Sequence, residues 1–242
     1  MSQNQIAAVI LGAGKGTRMK TDLPKVMVPL LGKPMIRHII NTLETLPADK
    51  IAVVVSPQGE LVRKEVAPYP TVVQEQPLGT AHAVLPAREL LKDFEGDVIV
   101  VFGDQPTFSK ETFLKAVAKR REGNAVVVVG FRAEDPLRYG RLILKNGELE
   151  KIVEFKDATD EEKAINLCNS GMMCFDGRRL FEILDEIGNE NAAGEYYLTD
   201  AVSVARKKGL KCAVVECPEL EAAGIDTLEK LAFVENCLKR KE

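Results

Sequence analysis

A glycine-rich, basic segment near the amino end of the chain carries residue types that bind phosphate. Residues 9–25 read VILGAGKGTRMKTDLPK, an apolar run followed by closely spaced glycines and then by arginine and lysine. Glycines let a backbone approach a ligand closely and turn its N–H groups toward phosphate oxygens. A plain turn with solvated charges has the same glycines, so the case for an anion site depends on Arg18 and Lys25. A guanidinium and an ammonium group together favour such a site.

The spacing of these glycines does not match two common phosphate-binding fingerprints. In the dinucleotide-binding pattern G-x-G-x-x-G the last glycine would fall at Thr17, but Gly16 comes one residue early. The Walker A pattern fails because no Gly-Lys-Ser/Thr closes a loop of the required length. An NAD-binding dehydrogenase is therefore disfavoured, as is an ordinary P-loop enzyme.

A second segment, QEQPLGTAHA at residues 74–83, follows an apolar run and leads into a helical pattern. The amides of Gln74 and Gln76 can donate and accept on the edge of a nucleobase, and Gly79 permits a close backbone approach. Gly79 or Thr80 can equally be the N-cap of the helix. The segment is compatible with a base pocket, and which glutamine faces the base stays open.

Gly103 and Asp104 end another apolar run, at the position where ligands of open α/β sheets collect. A carboxylate at this position is suited to holding Mg²⁺ against phosphate oxygens. A loop aspartate after a strand is also common without any such role. The residue alone therefore leaves the metal site undecided.

The motif G-x-G-T-R-M followed by P-K-V resembles the signature of the sugar-1-phosphate nucleotidyltransferase (pyrophosphorylase) family. It is similar to the N-acetylglucosamine-1-phosphate uridylyltransferase domain of bifunctional bacterial enzymes. The resemblance extends from Ala7 to about Leu228 with its motifs in the family's order. It implies the nucleotide-diphospho-sugar transferase fold, Mg²⁺ as cofactor, and transfer of UMP from UTP to a sugar 1-phosphate with release of pyrophosphate.

The resemblance also implies roles for individual residues. Arg18 and Lys25 are expected to be catalytic, and Asp104 and Asp226 to bind the metal. Nucleotide contacts are expected from Leu11, Gly12, Ala13, Gly14, Lys15, Gly16, Thr17, Gln74, Gln76, Gly79, Thr80 and Gly103. Sugar contacts are expected from Gly140, Glu154, Asn169, Tyr197 and Thr199. The family often has asparagine where this chain has Asp226, which can still bind a metal but adds a negative charge.

Two alternatives remain beside this interpretation. One is a cytidylyl-, thymidylyl- or molybdopterin-type transferase of the same fold. The other is a non-catalytic module that binds a nucleotide sugar, which the charged set Arg18, Lys25, Asp104 and Asp226 weighs against.

The order of apolar runs and helical patterns predicts a Rossmann-like α/β fold with a mixed, mostly parallel sheet flanked by helices. In the first half we expect strands at 6–11, 51–56, 71–74, 98–102 and 125–131, and helices at 34–46, 60–66, 80–91 and 110–121. After about Ala133, short strands at 141–144, 149–155, 168–175 and 211–215 accompany helices at 178–187, 198–207 and 228–238. One domain is expected over residues 1–242, with a nucleotide-binding half at 1–132 and a more antiparallel sugar-binding half with a closing helix at 133–242.

Composition narrows the function classes further. Hydrophobic residues make up 45% and charged residues 29% of the chain, as in globular proteins, and a net charge of −3 gives no support to a nucleic-acid partner. Five cysteines without a C-x-x-C pair argue against a disulfide framework or a zinc site. No secretory signal or long apolar run is present, so we expect a cytoplasmic protein without a membrane partner. The hexapeptide repeats of the bifunctional enzymes are absent, so acetyl transfer is not expected and the oligomeric state stays open.

Overall fold

The computed structural model describes residues 5–14, 16–19, 21–136 and 138–240. Strands and α-helices alternate along the first half of these ranges. The strands are β1 (Ile6–Leu11), β2 (Pro29–Leu30), β3 (Lys33–Pro34), β4 (Ala48–Val55), β5 (Thr71–Val73), β6 (Asp97–Phe102), β7 (Val126–Arg132), β8 (Arg141–Lys145), β9 (Glu148–Val153), β10 (Leu167–Asp176) and β11 (Cys212–Glu216). The α-helices are α1 (Met35–Glu44), α2 (Glu60–Val66), α3 (Thr80–Val84), α4 (Arg88–Leu91), α5 (Lys110–Arg121), α6 (Asp160–Lys163), α7 (Gly177–Leu184), α8 (Ala201–Lys207) and α9 (Leu228–Lys239).

Within those ranges, nine strands form one mixed sheet. Its order is β11-β7-β10-β6-β1-β4-β5, and the β8–β9 hairpin extends from β10. Strands β6, β1, β4 and β5 run parallel, whereas β10 runs antiparallel to both β6 and β7. The predicted α/β class is confirmed, including the parallel first half and the more antiparallel second half. The chain has the nucleotide-diphospho-sugar transferase fold.

Apolar layers cover both faces of this sheet. In β1 the side chains of Ala7, Val9 and Leu11 pack into one layer, and those of Ile6, Ala8 and Ile10 into the other. Helices α3, α4, α7 and α8 contribute to the first layer, and α1, α2 and α5 to the second. Because both faces are buried, the parallel strands appear in the sequence as continuous apolar runs.

A third, smaller apolar cluster joins segments that are far apart in the chain. It consists of Met19, Val28, Leu30, Met35, Ile225 and Val234. These residues bring the opening segment, the start of α1, the segment before α9 and the middle of α9 together. The cluster therefore packs the opening segment against α9 and the residues just before it.

One predicted helix is wrong in detail. The pattern at 80–91 predicts a continuous helix, but α3 ends at Val84 and a 3-10 turn at Leu85–Ala87 separates it from α4. Pro86 lies in that turn, and proline has no N–H to donate and collides with the preceding helical turn. The interval 198–207 likewise begins with a 3-10 turn before α8.

The β2–β3 hairpin and α6 were not predicted, because each is too short to show a periodic pattern. In the turn between β8 and β9, Asn146 and Gly147 adopt φ angles of +53° and +81°, the left-handed region favoured by tight hairpins. No helix in the described ranges is both long enough and apolar enough to span a bilayer.

Candidate active site

The opening segment passes over the carboxyl end of β1. Gly12 N donates to Val54 O at 2.8 Å, which holds the start of the loop against β4. Gly16 has a φ of +63°, and a Cβ there would lie 2.5 Å from Cβ of Lys25. Glycine at this position therefore lets Lys25 pack directly against the loop. Lys15 and the side chain of Thr17 lie outside the described residues.

A cavity of about 520 Å³ opens at the carboxyl ends of the parallel strands, a volume suited to a small organic ligand. It is lined by Leu11, Ala13, Gly14, Lys25, Val26, Ser56, Pro57, Gln58, Gln74, Glu75, Pro77, Gly79, Thr80, Ala83, Phe102, Asp104 and Glu195. Because β1, β4, β5 and β6 are parallel, their last residues lie along one edge of the sheet. The topology thus brings the opening segment, the 74–80 segment and Asp104 to one cavity.

Several residues of this lining were not predicted from the sequence. Ser56, Pro57 and Gln58 follow β4 at the same edge of the sheet. The rule that led to Asp104, that ligands collect beyond strand ends, also applies to them. Glu195 follows no strand, so that rule misses it, although its segment, residues 194–200, also contains the expected sugar-binding residues Tyr197 and Thr199.

The expected catalytic cations pair with the expected metal ligands. Nζ of Lys25 forms a close ion pair with Oδ2 of Asp104, and each of these side chains is only 16% exposed. Nη1 of Arg18 lies 2.7 Å from Oδ2 of Asp226, but the arginine is 61% exposed. The Lys25–Asp104 pair lies in the less hydrated environment, so its charges interact more strongly than those of the exposed pair.

Apolar neighbours position these charged residues. Met19, Val26 and Ile225 are each buried, and each is adjacent in sequence to one of the charged residues. Ile225 N donates to Asp104 O at 2.9 Å, which joins the segment of Asp226 to the loop after β6. The two carboxylates are therefore held on adjoining backbone segments although they are distant in sequence.

The surroundings of Asp226 are suited to a cation. Burial alone would raise the pKa of this carboxyl, but the contact and charge of Lys230, with Arg18 and Lys25, hold the pKa below its usual value. Its Oδ1 is buried and, apart from an ion pair with Lys230 Nζ at 3.0 Å, has no hydrogen-bond partner in the described chain. Proteins bind Mg²⁺ through one or two carboxylates together with substrate phosphates and water, and Asp104 and Asp226 fit that pattern.

The two candidate base-reading glutamines differ in position. Gln74 is 9% exposed, lines the cavity, and donates from Nε2 to Gly79 O at 3.2 Å. Gln76 is exposed and is not among the lining residues. Gly79 has a φ of +126°, and a Cβ there would lie 2.6 Å from Tyr196 N. The loop thus passes close to the Tyr196 backbone, and Gln74 is the glutamine placed to reach a ligand.

The expected sugar-binding residues form a group beside this loop. Thr199 Oγ1 donates to Glu154 Oε1 at 3.0 Å, and a Cβ at Gly140 would lie 3.3 Å from that same oxygen. Asn169 N donates to Gly140 O at 2.8 Å. The structure therefore brings Gly140, Glu154, Asn169 and Thr199 together, although none of them lines the cavity.

The two groups are joined through the segment that contains Tyr196 and Tyr197. Ala81 N donates to Tyr196 O at 2.9 Å, and Leu198 N donates to Thr80 Oγ1 at 2.8 Å. The Tyr197 ring is partly buried. Burial is the main cause that raises the pKa of its hydroxyl, and the charges of nearby carboxylates add to the rise. The 74–80 segment and the group of expected sugar-binding residues are thus joined by hydrogen bonds.

A mostly parallel sheet with a glycine-rich basic loop at the carboxyl ends of its strands is typical of the nucleotide-diphospho-sugar transferase fold. The family model for the MobA-like NTP transferase domain matches residues 8–197, and the chain belongs to that family.

Curated relatives are similar over nearly the whole chain. The bifunctional protein GlmU of Rhodospirillum rubrum is 52% identical over 231 residues, which cover 95% of this chain and 52% of the relative. The protein of the same name from Paramagnetospirillum magneticum is 47% identical over 237 residues, covering 97% of this chain and 53% of the relative. That from Ruegeria sp. strain TM1040 is 49% identical over 233 residues, covering 95% and 52%. The chain thus spans about half the length of these relatives.

Proposed function

We propose that this chain transfers UMP from UTP to N-acetylglucosamine 1-phosphate and releases pyrophosphate. The observation that carries the proposal is the Lys25–Asp104 pair on the wall of a nucleotide-sized cavity, joined through backbone bonds to the group around Glu154 and Asn169. The choice of UTP and N-acetylglucosamine 1-phosphate is supported by the resemblance to uridylyltransferase domains. It is also supported by the sequence identity of 52% and 47% to two of the relatives described above.

The reaction needs no covalent enzyme intermediate. An oxygen of the sugar phosphate attacks the α-phosphorus of the nucleotide, a new P–O bond forms, and the bond to the departing pyrophosphate breaks. Such chemistry depends mainly on alignment of the reactants and on neutralisation of charge. The proposed site must therefore supply positive charge at the phosphates and a rigid seat for the sugar.

The chain's own residues account for most of these requirements. Lys25 and Arg18 supply positive charge, and the lower exposure of Lys25 makes its charge the more effective of the two. Gln74, which lines the cavity, reads the base in this proposal. Glu154 and Asn169 offer a carboxylate acceptor and an amide to sugar hydroxyl and acetamido groups. Mg²⁺, held by Asp104 and Asp226, would add Lewis-acid stabilisation of the phosphate oxygens.

The first experiment measures pyrophosphate release by the purified chain with Mg²⁺, a panel of nucleoside triphosphates and a panel of sugar 1-phosphates. We expect turnover with UTP and N-acetylglucosamine 1-phosphate, and for Lys25→Met a kcat lower by ~100-fold, as loss of a transition-state charge donor produces. The matched control is Lys33→Met, at an exposed lysine of β3, which should keep kcat within about twofold.

The outcomes separate the alternatives. A clear preference for CTP or TTP assigns the chain to another transferase of the same fold. Tight binding of UDP-sugars without turnover in the wild-type chain supports a non-catalytic module and contradicts the proposal.

A further inference from the structure

Gln105 is a buried amide that has none of the roles described above. It directly follows Asp104 after β6, and only 4% of its surface is exposed. Its Oε1 is buried and has no hydrogen-bond partner among residues 5–14, 16–19, 21–136 and 138–240. A buried unpaired carbonyl lowers stability, and an apolar side chain of similar size would avoid that cost. The oxygen of this amide therefore gives no stability reason for its presence, and any benefit of the amide must come from its nitrogen.

The nitrogen of the same amide makes one long-range contact. Nε2 of Gln105 donates to the backbone carbonyl of Ser170, which lies 65 residues further along the chain. Ser170 is itself firmly held, because its Oγ donates to Val129 O at 2.7 Å and accepts from Met172 N at 3.2 Å. Gln105 thus ties the loop after β6 to the irregular stretch of β10 at residues 169–173, called the β10 bulge below.

The two segments joined by this bond belong to different halves of the proposed site. Asp104, on one side, pairs with Lys25. Asn169, next to Ser170, accepts from Gly171 N at 2.9 Å through Oδ1. Its Nδ2 group makes no hydrogen bond within the described ranges and can donate to a ligand. The amide of Gln105 therefore links the segment of the Lys25–Asp104 pair directly to the β10 bulge.

We propose that Gln105 is a positioning residue, which sets the distance between the β10 bulge, where the sugar would bind, and the Lys25–Asp104 pair. It acts through the Ser170 carbonyl and does not contact the reacting atoms. Because in-line transfer depends on the alignment of two reactants, a shift of ~1 Å in the sugar's seat can cost ~100-fold in rate. This inference rests on the proposed function, because the proposed function assigns the β10 bulge around Asn169 to sugar binding.

The test replaces Gln105 by methionine, which keeps the length of the side chain and removes both the bond and the unpaired oxygen. We expect a Tm within a few degrees of the wild-type value, since removal of the unpaired Gln105 oxygen offsets the loss of the donor to the Ser170 carbonyl. The KM for N-acetylglucosamine 1-phosphate should rise ~10-fold and kcat should fall ~10-fold, while the KM for UTP stays within about twofold.

A matched control comes from the same loop. Thr107 Oγ1 donates to Leu220 O at 2.8 Å and to Glu221 O at 3.2 Å, so Thr107→Val removes a tie to a different segment. Its KM for N-acetylglucosamine 1-phosphate should match that of the wild-type chain. An equal rise in both variants would show that the loop needs only general support, and would overturn the positioning role.

An equilibrium measurement separates this inference from the proposed function. Calorimetry gives the Kd for UDP and for UDP-N-acetylglucosamine, and their ratio reports the affinity contributed by the sugar. Gln105→Met should reduce that ratio ~10-fold and leave the Kd for UDP unchanged. If the wild-type chain turns over but Gln105→Met keeps the wild-type ratio of Kd values and the wild-type KM for N-acetylglucosamine 1-phosphate, only the role of Gln105 is rejected. A wild-type chain with neither turnover nor a sugar contribution rejects the proposed function, and this inference with it.

Discussion

Glu154 is a carboxylate that the fold holds partly out of water. Burial raises the pKa of its side chain, the hydrogen bond from Thr199 opposes that rise, and the charges of Asp200 and Asp157 add to it. Because the pKa is higher in the folded than in the unfolded chain, ionisation of Glu154 lowers stability. Its contribution to stability is greatest below the unfolded pKa and is lost as the pH rises through the folded pKa.

The variant Glu154→Gln tests both consequences. At neutral pH it should raise the free energy of unfolding, because no charge is buried and the new amide oxygen can still accept from Thr199. That gain should vanish on acidification through the folded pKa. The KM for N-acetylglucosamine 1-phosphate should rise ~10-fold at neutral pH, because bonds to an ionised acceptor are the stronger ones.

Denaturation curves and initial rates over a pH series provide the readout. In the wild-type chain the sugar KM should rise as the pH falls through the raised pKa of Glu154, whereas the Glu154→Gln variant should show no such dependence. Parallel pH profiles in the two proteins would argue that Glu154 does not accept a bond from the sugar.

Residues differ in how far their position could be inferred from the sequence. Asp104 follows an apolar run, and local pattern was sufficient to place it at the edge of the sheet. Gln105 is next to it, but its burial and its bond to Ser170 depend on the packing of β10 beside β6, which no local pattern encodes. Gln74 and Gln76 could not be distinguished for the same reason, since loop direction determines which amide faces the cavity.

Among the elements, the segment 74–80 depends most on a single backbone conformation. Leu78 O accepts from Tyr196 N at 2.9 Å, and Gly79 O accepts from Gln74 Nε2 at 3.2 Å. Gly79 itself adopts a positive φ and lies against the Tyr196 backbone. Both the loop's shape and the position of Gln74 therefore require a residue without a Cβ here.

Gly79→Ala should destabilise the chain by roughly 2 kcal/mol or more, a Tm loss of roughly 5 °C or more, because strain at positive φ adds to the overlap with the Tyr196 backbone. It should also raise the KM for UTP, since Gln74 loses its anchor. Thermal unfolding followed by circular dichroism, together with initial rates, measures both effects.

The matched control is Gly123→Ala. Gly123 has a φ of +93°, but a Cβ there would meet no atom within 4 Å, so only the strain at positive φ remains. A loss of about 1 kcal/mol with an unchanged KM for UTP is expected. Equal losses in both variants would show that contact with Tyr196 is unimportant.

Elements were predictable where the sequence marks their ends. Strand β1 is a continuous apolar run with the expected bounds, and helix α5 begins where expected, directly after the N-cap Ser109. Helix α2 also has the expected bounds. The single helix predicted over 80–91 is wrong because Pro86 interrupts the helix while the apolar pattern continues on both sides. Apolar spacing reports which face is buried and is insensitive to a local loss of backbone hydrogen bonds.

At the scale of the whole molecule, the proposed site exists only when three distant segments meet. Arg18 and Lys25 come from the opening segment, Asp104 from the end of β6, and Asp226 from just before α9. The apolar cluster around Met19 and Ile225 and the bond from Ile225 N to Asp104 O hold these segments together. The sequence predicted the membership of this set through motif resemblance, but not the cross-pairing of its charges, which is a property of the assembled fold.

A ligand that binds only this assembled site must stabilise the whole fold. With UTP and Mg²⁺ at ~100 times the Kd, the free energy of unfolding should rise by about 2.7 kcal/mol. The Tm should then rise by roughly 5–10 °C. Thermal scans with UTP alone, with UTP and Mg²⁺, and after addition of EDTA separate the contribution of the metal. EDTA should return the Tm to the value with UTP alone.

Asp104→Asn should lose the increment due to Mg²⁺, because the amide oxygen is a weaker ligand than a carboxylate and Lys25 loses the charge it faces. The matched control is Asp22→Asn, which removes one negative charge at an exposed position of the opening segment and should keep the full increment. The same increment in both variants would contradict Asp104 as a ligand. A loss in both would instead indicate a general effect of charge, because a specific site distinguishes a carboxylate at the cavity wall from one in solvent.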